Sequence, residues 1–164
     1  MKIVPLELEG VILFELDKYE DDRGYFMEVM REVNINVHFV QLNHSFSRKN
    51  VLRGIHFQRY PKEQAKFIKV ITGKIFDVIV DYKNFRYISV ELDENKALFI
   101  PKGYGHGFLA LEDTNLIYLV DEYYNKEYEG GIIYSDEILS IPWPVDNPIL
   151  SEKDKKLPRL PLKF

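Results

Sequence analysis

Short stretches of apolar or alternating residues, separated by glycine, proline, asparagine and aspartate, run along most of this sequence. Stretches of about four to eight residues between turn-forming residues are typical of β-strands. The predicted strands cover residues 11–16, 40–43, 52–58, 67–71, 74–81, 87–92, 97–100, 107–111 and 116–120. Many short strands with regular turns favour an all-β fold, either a closed barrel or a double-sheet jelly roll.

The clearest local pattern lies in the middle of the chain. Residues 67–71 and 74–81 flank Thr72-Gly73, and this arrangement predicts a β-hairpin. Apolar side chains recur with a period of two from Phe76 to Val80, so one face of the second strand is expected to be buried. Two such sheets would enclose a cavity at their open end, lined by inward-facing side chains.

The remaining segments are less regular. Residues 25–38 have no clear period, and a short helix is predicted near residues 30–34. Residues 143–164 are rich in proline and charge, and we expect a C-terminal tail that packs over the barrel. No internal repeat or linker divides the 164 residues, so the sequence predicts a single domain over residues 1–164.

Composition narrows the classes of function. The chain is 46% hydrophobic with a net charge of −4, which gives no overall attraction to nucleic acid or an anionic membrane. It has no cysteine, so it has neither disulfides nor thiolate metal ligands. The first residues contain no signal-peptide pattern, and no run approaches the roughly 20 apolar residues of a membrane span. These features predict a soluble, cytoplasmic protein.

Polar residues are densest around the strand at residues 52–58. With a period of two, Arg53 and His56 would point to opposite faces of a regular strand. A bulge at Gly54 would bring both side chains to the same face. A buried, hydrogen-bonded core histidine is the simplest alternative explanation of His56.

Four further groups of residues are candidates for catalytic or substrate-binding roles. Lys66 precedes a strand, His106 follows the turn Pro101-Lys102-Gly103, Tyr118 lies in an apolar strand, and Lys153-Asp154 lie in the tail. Each has an ordinary structural explanation, such as a solvated lysine or a packed tyrosine with its hydroxyl at the rim.

A metal site is not favoured by the histidine spacing. The pattern P-x-G-x2-H of metal-binding jelly rolls is present at Pro101–His106, but its partner H-x-H is missing because Phe57 and Gln58 follow His56. Two histidines without thiolates make a poor site for zinc, iron or copper. The sequence therefore predicts a pocket without metal or other cofactor.

Taken together, these stretches resemble the dTDP-4-dehydrorhamnose 3,5-epimerases of nucleotide-sugar biosynthesis. The matching motifs run in the family order from residue 22 to residue 154. They are Asp22-Arg23-Gly24-Tyr25-Phe26-x-Glu28, Gln41-x-Asn43-x-Ser45, Val51 to Gln58, Gln64-Ala65-Lys66, Gly73 to Asp81, Ile100-Pro101-x-Gly103-x-x-His106-Gly107-Phe108, Trp143-Pro144 and Leu150-Ser151-x-Lys153-Asp154.

The resemblance implies a cupin jelly-roll barrel with short peripheral helices, which works without metal as a homodimer. It implies that His56 is the catalytic base, paired with Asp154, that Tyr118 is the opposing acid, and that Lys66 lies near the substrate carbonyl. The nucleotide-linked substrate would be bound by Arg23, Glu28, Gln41, Asn43, Arg53, His106, Glu129 and Lys153, with Tyr123 or Tyr124 stacked on the base. The N-terminal segment would pair with the partner subunit, so that Arg23 and Glu28 serve the neighbouring site.

The implied reaction is epimerisation at C3 and C5 of a dTDP-linked 4-keto-6-deoxy sugar. Both carbons adjoin the C4 ketone, so their protons are weakly acidic, and a histidine with a pKa of ~6.5 suits the base role. The loop at residues 82–90 is shorter than in the family and lacks its tryptophan, which bears on substrate range. Three alternatives remain: a 3-epimerase for another deoxysugar, a non-catalytic cupin that binds a nucleotide sugar, and a metal-dependent cupin oxygenase.

Overall fold

A computed structural model describes residues 1–163, and the regular secondary structure of these residues is almost entirely β-strand. The strands are β1 (Lys2–Pro5), β2 (Ile12–Glu15), β3 (Lys18–Asp21), β4 (Gly24–Met27), β5 (Gln41–Ser47), β6 (Leu52–Gln58), β7 (Lys66–Thr72), β8 (Lys74–Asp81), β9 (Arg86–Asp93), β10 (Lys96–Ile100), β11 (Gly105–Ala110), β12 (Thr114–Val120) and β13 (Glu129–Gly131). Single 3-10 turns occur at Glu32–Asn34, Lys126–Tyr128 and Asp154–Lys156. Within the described residues, no helix has the length and apolar character needed to span a membrane.

Two antiparallel sheets form the body of the molecule. One sheet has the order β1-β2-β10-β7-β12-β5, and the other has the order β13-β6-β11-β8-β9. Strands β3 and β4 form a separate hairpin. The expected all-β, cupin jelly-roll class is confirmed, and the short helix expected at residues 30–34 is the 3-10 turn Glu32–Asn34.

The main core fills the space between the two sheets at one end of the barrel. Leu13, Ile68 and Leu98 contribute from the six-stranded sheet, and Ile75 and Ile79 contribute from the five-stranded sheet. These side chains are almost fully inaccessible to solvent, and burial of each stabilises the fold by about 1.5–3 kcal/mol. The other end of the barrel carries polar side chains and remains open.

Residues 132–163 form a C-terminal segment, which includes the predicted tail and covers the outer face of the five-stranded sheet. Ile132, Leu139 and Leu160 pack against side chains of β6 and β8 in a second apolar cluster. Trp143 stacks edge-on against Phe76 with the ring centroids 5.7 Å apart. The expectation that this segment packs over the barrel is therefore confirmed, and this packing holds the tail against β6.

The predicted hairpin between residues 67–71 and 74–81 is wrong. Strand β7 pairs with β10 and β12, whereas β8 pairs with β11 and β9, so the chain passes from one sheet to the other at Gly73. Gly73 has a φ of +98°, and an added Cβ would lie 2.4 Å from Thr114 Oγ1. A Thr-Gly turn is compatible with both paths. The crossing between the sheets is favoured because it allows the apolar faces of β7 and β8 to pack against each other across the core.

Strand β6 contains the expected bulge. In its pairing with β11, His56 lies opposite His106 and Arg53 lies opposite Phe108. Between these two pairs β6 advances three residues and β11 advances two, so β6 has one extra residue. Gly54 has a φ of +100°, and an added Cβ would lie 2.7 Å from the backbone oxygen of His106. Both Arg53 and His56 consequently line the same cavity.

We predict that Gly54→Ala lowers the midpoint temperature of unfolding much more than Gly24→Ala. Both glycines have positive φ, so each substitution adds backbone strain of about 1–3 kcal/mol. Only at Gly54 does the added methyl group also collide with backbone atoms, because nothing lies within 4 Å of the Cβ position at Gly24. Thermal unfolding followed by circular dichroism measures the difference. Equal losses in the two variants would contradict the close approach of β6 and β11.

Candidate active site

The open end of the barrel holds a cavity of about 310 Å³ between the two sheets. A second cavity of about 350 Å³ adjoins it and shares His56, Lys66 and Tyr118 as lining residues. The first is lined by Ser45, Val51, Leu52, Arg53, His56, Lys66, Ile68, His106, Phe108, Leu116, Tyr118, Ser151, Lys153 and Asp154. The two cavities form one continuous site with an apolar floor and several ionisable groups.

His56 forms a hydrogen bond with Asp154, which lies 98 positions later in the chain. The distance from Nε2 of His56 to Oδ1 of Asp154 is 2.6 Å, and the backbone N–H of Gly54 donates to Oδ2 at 3.0 Å. Asp154 is buried, with 4% of its surface exposed, whereas the His56 side chain is 34% exposed toward the cavity. Since Nε2 is engaged, Nδ1 is the ring nitrogen available to a ligand.

The surroundings of Asp154 favour its ionised form. Burial acts to raise the pKa of this carboxyl group, but the hydrogen bonds from His56 and Gly54, together with the charges of His56 and Lys153, lower the pKa below its usual value. A carboxylate held in this way fixes the tautomer of the imidazole and stabilises its protonated form. The pair is therefore suited to accept a proton at Nδ1.

Tyr118 and Lys66 lie on the six-stranded sheet, across the cavity from His56. Tyr118 is on β12, Lys66 begins β7, and the ammonium nitrogen lies 5.9 Å from the centroid of the tyrosine ring. Burial raises the pKa of Tyr118, against the opposing effects of Asn43 and Arg53, so the phenol keeps its proton at neutral pH. Burial lowers the pKa of Lys66 to about 8, although the carboxylate of Asp77 acts to raise it.

A second histidine–carboxylate pair lies in the same wall as His56. Nε2 of His106 is 2.6 Å from Oδ1 of Asp77, which is completely buried on β8 behind the cavity lining. Burial raises the pKa of Asp77, and His106 and Lys66 oppose this rise. Sequence reasoning did not select Asp77. The signal was an acidic residue next to Phe76 and Val78, in a strand otherwise rich in buried apolar side chains.

The rim of the site carries several of the expected binding residues. Gln41 donates to Asn43 at 2.9 Å and accepts from the backbone N–H of Tyr124 at 3.2 Å. The Tyr124 hydroxyl donates to Glu129 at 3.0 Å, and Lys153 forms an ion pair with the same carboxylate. These contacts join β5, β13 and the C-terminal segment around the opening.

Arg53 is an exposed residue of β6 that lines the cavity, and the end of β5 holds its side chain. Its Nε donates to Ser47 Oγ at 2.8 Å, and its NH2 group donates to the backbone oxygen of Phe46 at 2.9 Å. Ser45 also lines the cavity, and no described residue hydrogen-bonds its hydroxyl. Sequence reasoning did not select Ser45 as a site residue, although it lies on the same face of β5 as Gln41 and Asn43.

Three of the predicted site residues lie outside the lining of both cavities within this chain. Arg23, on the hairpin of β3 and β4, forms an ion pair with Asp21, and Glu28 forms an ion pair with Arg31. Tyr123 is largely exposed next to the rim. Among residues 1–163, no cluster of three or more histidine, aspartate and glutamate side chains is placed to hold a metal ion.

We predict that Asp154→Asn destabilises the protein at neutral pH by about 1–3 kcal/mol, because a charged buried hydrogen-bond acceptor is lost. The folded state lowers the pKa of Asp154 below 3.8, its value in the unfolded chain. The stabilisation is therefore complete at pH values above 3.8, and it is lost as the pH falls through the pKa of the folded state. Urea unfolding at pH 7, 5 and 3 measures the gap between the two proteins. A gap that widens toward acid would be inconsistent with an ionised Asp154.

Comparison with known proteins places these features in a family. Residues 5–161 match the family model described as dTDP-4-dehydrorhamnose 3,5-epimerase. The chain is similar to the protein of that name from Shigella flexneri, with 40% identity covering 94% of this chain and 93% of that protein. It is also similar to the one from Methanothermobacter thermautotrophicus, with 41% identity covering 94% of this chain and 91% of that protein.

Solved structures give the same result. A dTDP-4-dehydrorhamnose 3,5-epimerase from Bacillus anthracis with TDP and PPi bound is 38% identical, with a TM-score of 0.91 over 97% of this chain and 99% of that chain. An enzyme from Legionella pneumophila in complex with dTDP-4-keto-L-rhamnose is 33% identical, with a TM-score of 0.90 over 96% of this chain and 92% of that chain. By sequence and by structure, the chain belongs to the dTDP-4-dehydrorhamnose 3,5-epimerase family.

Proposed function

We propose that this protein converts dTDP-4-dehydro-6-deoxy-D-glucose to dTDP-4-dehydro-L-rhamnose by inverting C3 and C5, as an isomerase of dTDP-L-rhamnose or related deoxysugar biosynthesis. The observation that supports this most directly is the arrangement across the cavity. The His56–Asp154 pair lies on one sheet, and Tyr118 and Lys66 lie on the other. A sugar ring between the two sheets would present its faces to a base and an acid.

In this proposal, Nδ1 of His56 removes the proton from C3 or C5. The C–H bond breaks, its electron pair moves toward the C4 carbonyl, and an enolate with negative charge on the C4 oxygen forms. The imidazolium that results is stabilised by the carboxylate of Asp154, 2.6 Å from Nε2. A positioned base of this type typically contributes about 10²–10⁴-fold in rate.

Lys66 is the group that stabilises the enolate. Its ammonium lies 5.9 Å from the centroid of the Tyr118 ring, and the partial burial of Lys66 strengthens the interaction of its charge with a developing oxyanion. Tyr118 then returns a proton to the opposite face of the carbon, which inverts it. The raised pKa of this buried phenol keeps it protonated until the carbanion carbon takes the proton.

The nucleotide would lie along the rim, over the second cavity. Gln41, Asn43, Glu129 and Lys153 offer hydrogen-bonding groups there, and the exposed ring of Tyr124 offers a stacking surface for the base. Arg53 would contribute one cation for the diphosphate. The net charge of −4 does not exclude an anionic ligand, because arginines at the site, Arg53 from this chain and Arg23 in the proposed dimer, can meet the diphosphate.

The hairpin of β3 and β4 supports a homodimer in which the N-terminal segments are exchanged. It carries Tyr19, Tyr25 and Phe26, and Phe26 is 70% exposed, which is unusual for side chains of this size. In the proposed dimer these rings pack on the partner, and Arg23 and Glu28 reach the partner's cavity. We also propose one epimerase domain over residues 1–164 and a cytoplasmic location. The charge of the diphosphate is consistent with an aqueous compartment.

We predict that incubation with dTDP-4-keto-6-deoxyglucose in D₂O replaces both C3 and C5 protons with deuterium, and that His56→Asn abolishes both exchanges. The reason is that one base serves both carbons. Proton NMR of the sugar follows each position separately. His44→Asn is the matched control, because His44 is an exposed histidine on the outer face of β5, bonded to Asn115, and should exchange normally.

The possible results separate the alternatives. Exchange at C3 alone would replace the proposal with a 3-epimerase, and the absence of exchange at either carbon would leave a nucleotide-sugar-binding cupin. Metal bound to the purified protein, detected by metal analysis, would favour the metal-dependent cupin oxygenase.

We predict that a mixture of two inactive variants, His56→Asn and Arg23→Ala, regains activity after unfolding and refolding together. If Arg23 serves the partner's cavity, each mixed dimer contains one cavity with both native residues. Half of randomly formed dimers are mixed, so about one quarter of the sites should be active. Turnover per site, compared with each variant refolded alone, measures this. A mixture as inactive as its components would contradict exchange of the N-terminal segment.

A further inference from the structure

The cavity wall contains a second histidine–carboxylate pair that the proposed reaction does not use. His106 lines the cavity, and its Nε2 contacts Asp77 at 2.6 Å, the same distance that joins His56 to Asp154. In both pairs the ring uses Nε2 for the carboxylate and leaves Nδ1 for the cavity. Asp77 itself lies behind the wall, on β8, and does not line either cavity.

Asp77 is a costly residue to bury. Its exposed fraction is 0%, and no described residue donates a hydrogen bond to its second oxygen, Oδ2. Asp154, in contrast, has both oxygens satisfied, by His56 and by the backbone of Gly54. A buried carboxylate with an unpaired oxygen destabilises the fold unless nearby positive charge compensates it, so its presence indicates a role in the site.

The compensating charges belong to His106 and Lys66. Both oppose the effect of burial on the pKa of Asp77, and Asp77 in turn is the group that acts to raise the pKa of Lys66. The other charged or titratable groups lining the cavities around this cluster are Arg53 and His56 from β6, Tyr118 from β12, Tyr124 and Glu129 at the rim, and Lys153 and Asp154 from the C-terminal segment. Among them, Asp77 is the carboxylate that lies behind the wall carrying His106, and its charge also acts on Lys66 across the cavity.

We propose that Asp77 is a positioning residue of the epimerase. It fixes the ring of His106 by accepting a hydrogen bond from Nε2–H, and its carboxylate is the buried counter-charge that keeps Lys66 an ammonium ion. This inference rests on the proposed function, in which Lys66 faces the C4 oxygen. The two histidine pairs then have different tasks: His56–Asp154 moves a proton, and Asp77 with His106 maintains the positive charge of the oxyanion site.

The proposal leads to a specific pH dependence. Lys66 must carry its proton to stabilise the enolate, so activity should fall at high pH as this proton is lost, with an apparent pKa of about 8. Without the charge of Asp77, burial is no longer opposed, and the pKa of Lys66 falls further. The alkaline limb of the kcat/KM profile, which reports groups of the free enzyme, should therefore move toward lower pH when this carboxylate is neutralised.

The test compares Asp77→Asn with Asp77→Glu and the unaltered enzyme in kcat and KM between pH 6 and 10. Asp77→Asn should lower kcat by about 10- to 100-fold, the loss typical when a carboxylate that orients a metal-bound histidine is removed, and should move the alkaline limb to lower pH. KM should change little. Asp77→Glu keeps the charge, so its limb should stay near that of the unaltered enzyme while kcat falls because His106 is displaced.

Asp81→Asn is the matched control. Asp81 is a buried carboxylate on the same strand, but it binds Asn84 and Arg86 at the far end of β8 and lines neither cavity. This variant should retain the kcat, KM and pH profile of the unaltered enzyme. A shift of its alkaline limb equal to that of Asp77→Asn would overturn the proposal, because the effect would then be a general one.

An Asp77→Asn enzyme with unchanged kcat and an unchanged alkaline limb would also overturn it. If that variant does not fold, nitrogen-15 NMR of the histidines in the unaltered protein decides: His106 must carry its proton on Nε2 at pH 8, and a proton on Nδ1 alone overturns the assignment. Failure of the proposed function itself is distinguishable, since the unaltered enzyme would then show no exchange in D₂O.

Discussion

The contact between the Asp154 carboxylate and strand β6 connects the C-terminal segment to the wall of the barrel. It depends on the bulge at Gly54, which turns His56 into the cavity and presents a backbone N–H to the same carboxylate. It also depends on the apolar cluster that holds the tail on the outer face of the five-stranded sheet. Core packing, a glycine conformation and an ion pair therefore act together to place one imidazole.

Burial changes the pKa of each ionisable group in the cavity to an extent that depends on the hydrogen-bond donors and charges around it. Asp154 receives hydrogen bonds from two donors, and its pKa is lowered despite burial. Lys66 and Tyr118 have few compensating partners, so burial lowers the pKa of the first and raises that of the second. Near neutral pH the site thus combines a charged carboxylate, a charged amine and a neutral phenol. This combination suits proton abstraction next to a ketone, with a base, a cation for the enolate oxygen and a proton donor.

The sequence predicted the strands well because alternation and turn residues are local signals. Strand β6 has the predicted bounds, and the Gly54 bulge was expected from the need to bring Arg53 and His56 together. The predicted hairpin at Gly73 was wrong because turn residues do not indicate which sheet the next strand joins. The pairing of His56 with Asp154 was expected only from the family resemblance, since no local pattern links residues 98 positions apart. Asp77 was missed because its neighbours suggested a core strand.

The charged groups around the cavity of one chain balance each other, which limits the attraction of a diphosphate. The cavity and its surroundings contain the cations Arg53, Lys66 and Lys153 and the carboxylates Asp77, Glu129 and Asp154. With both histidines neutral these charges cancel, and Lys153 is already paired with Glu129. A dianionic ligand would therefore gain little net attraction. In the proposed dimer, Arg23 of the exchanged hairpin brings the missing positive charge. Its fork of donors suits a phosphate oxygen pair, so substrate binding and dimer formation would be linked.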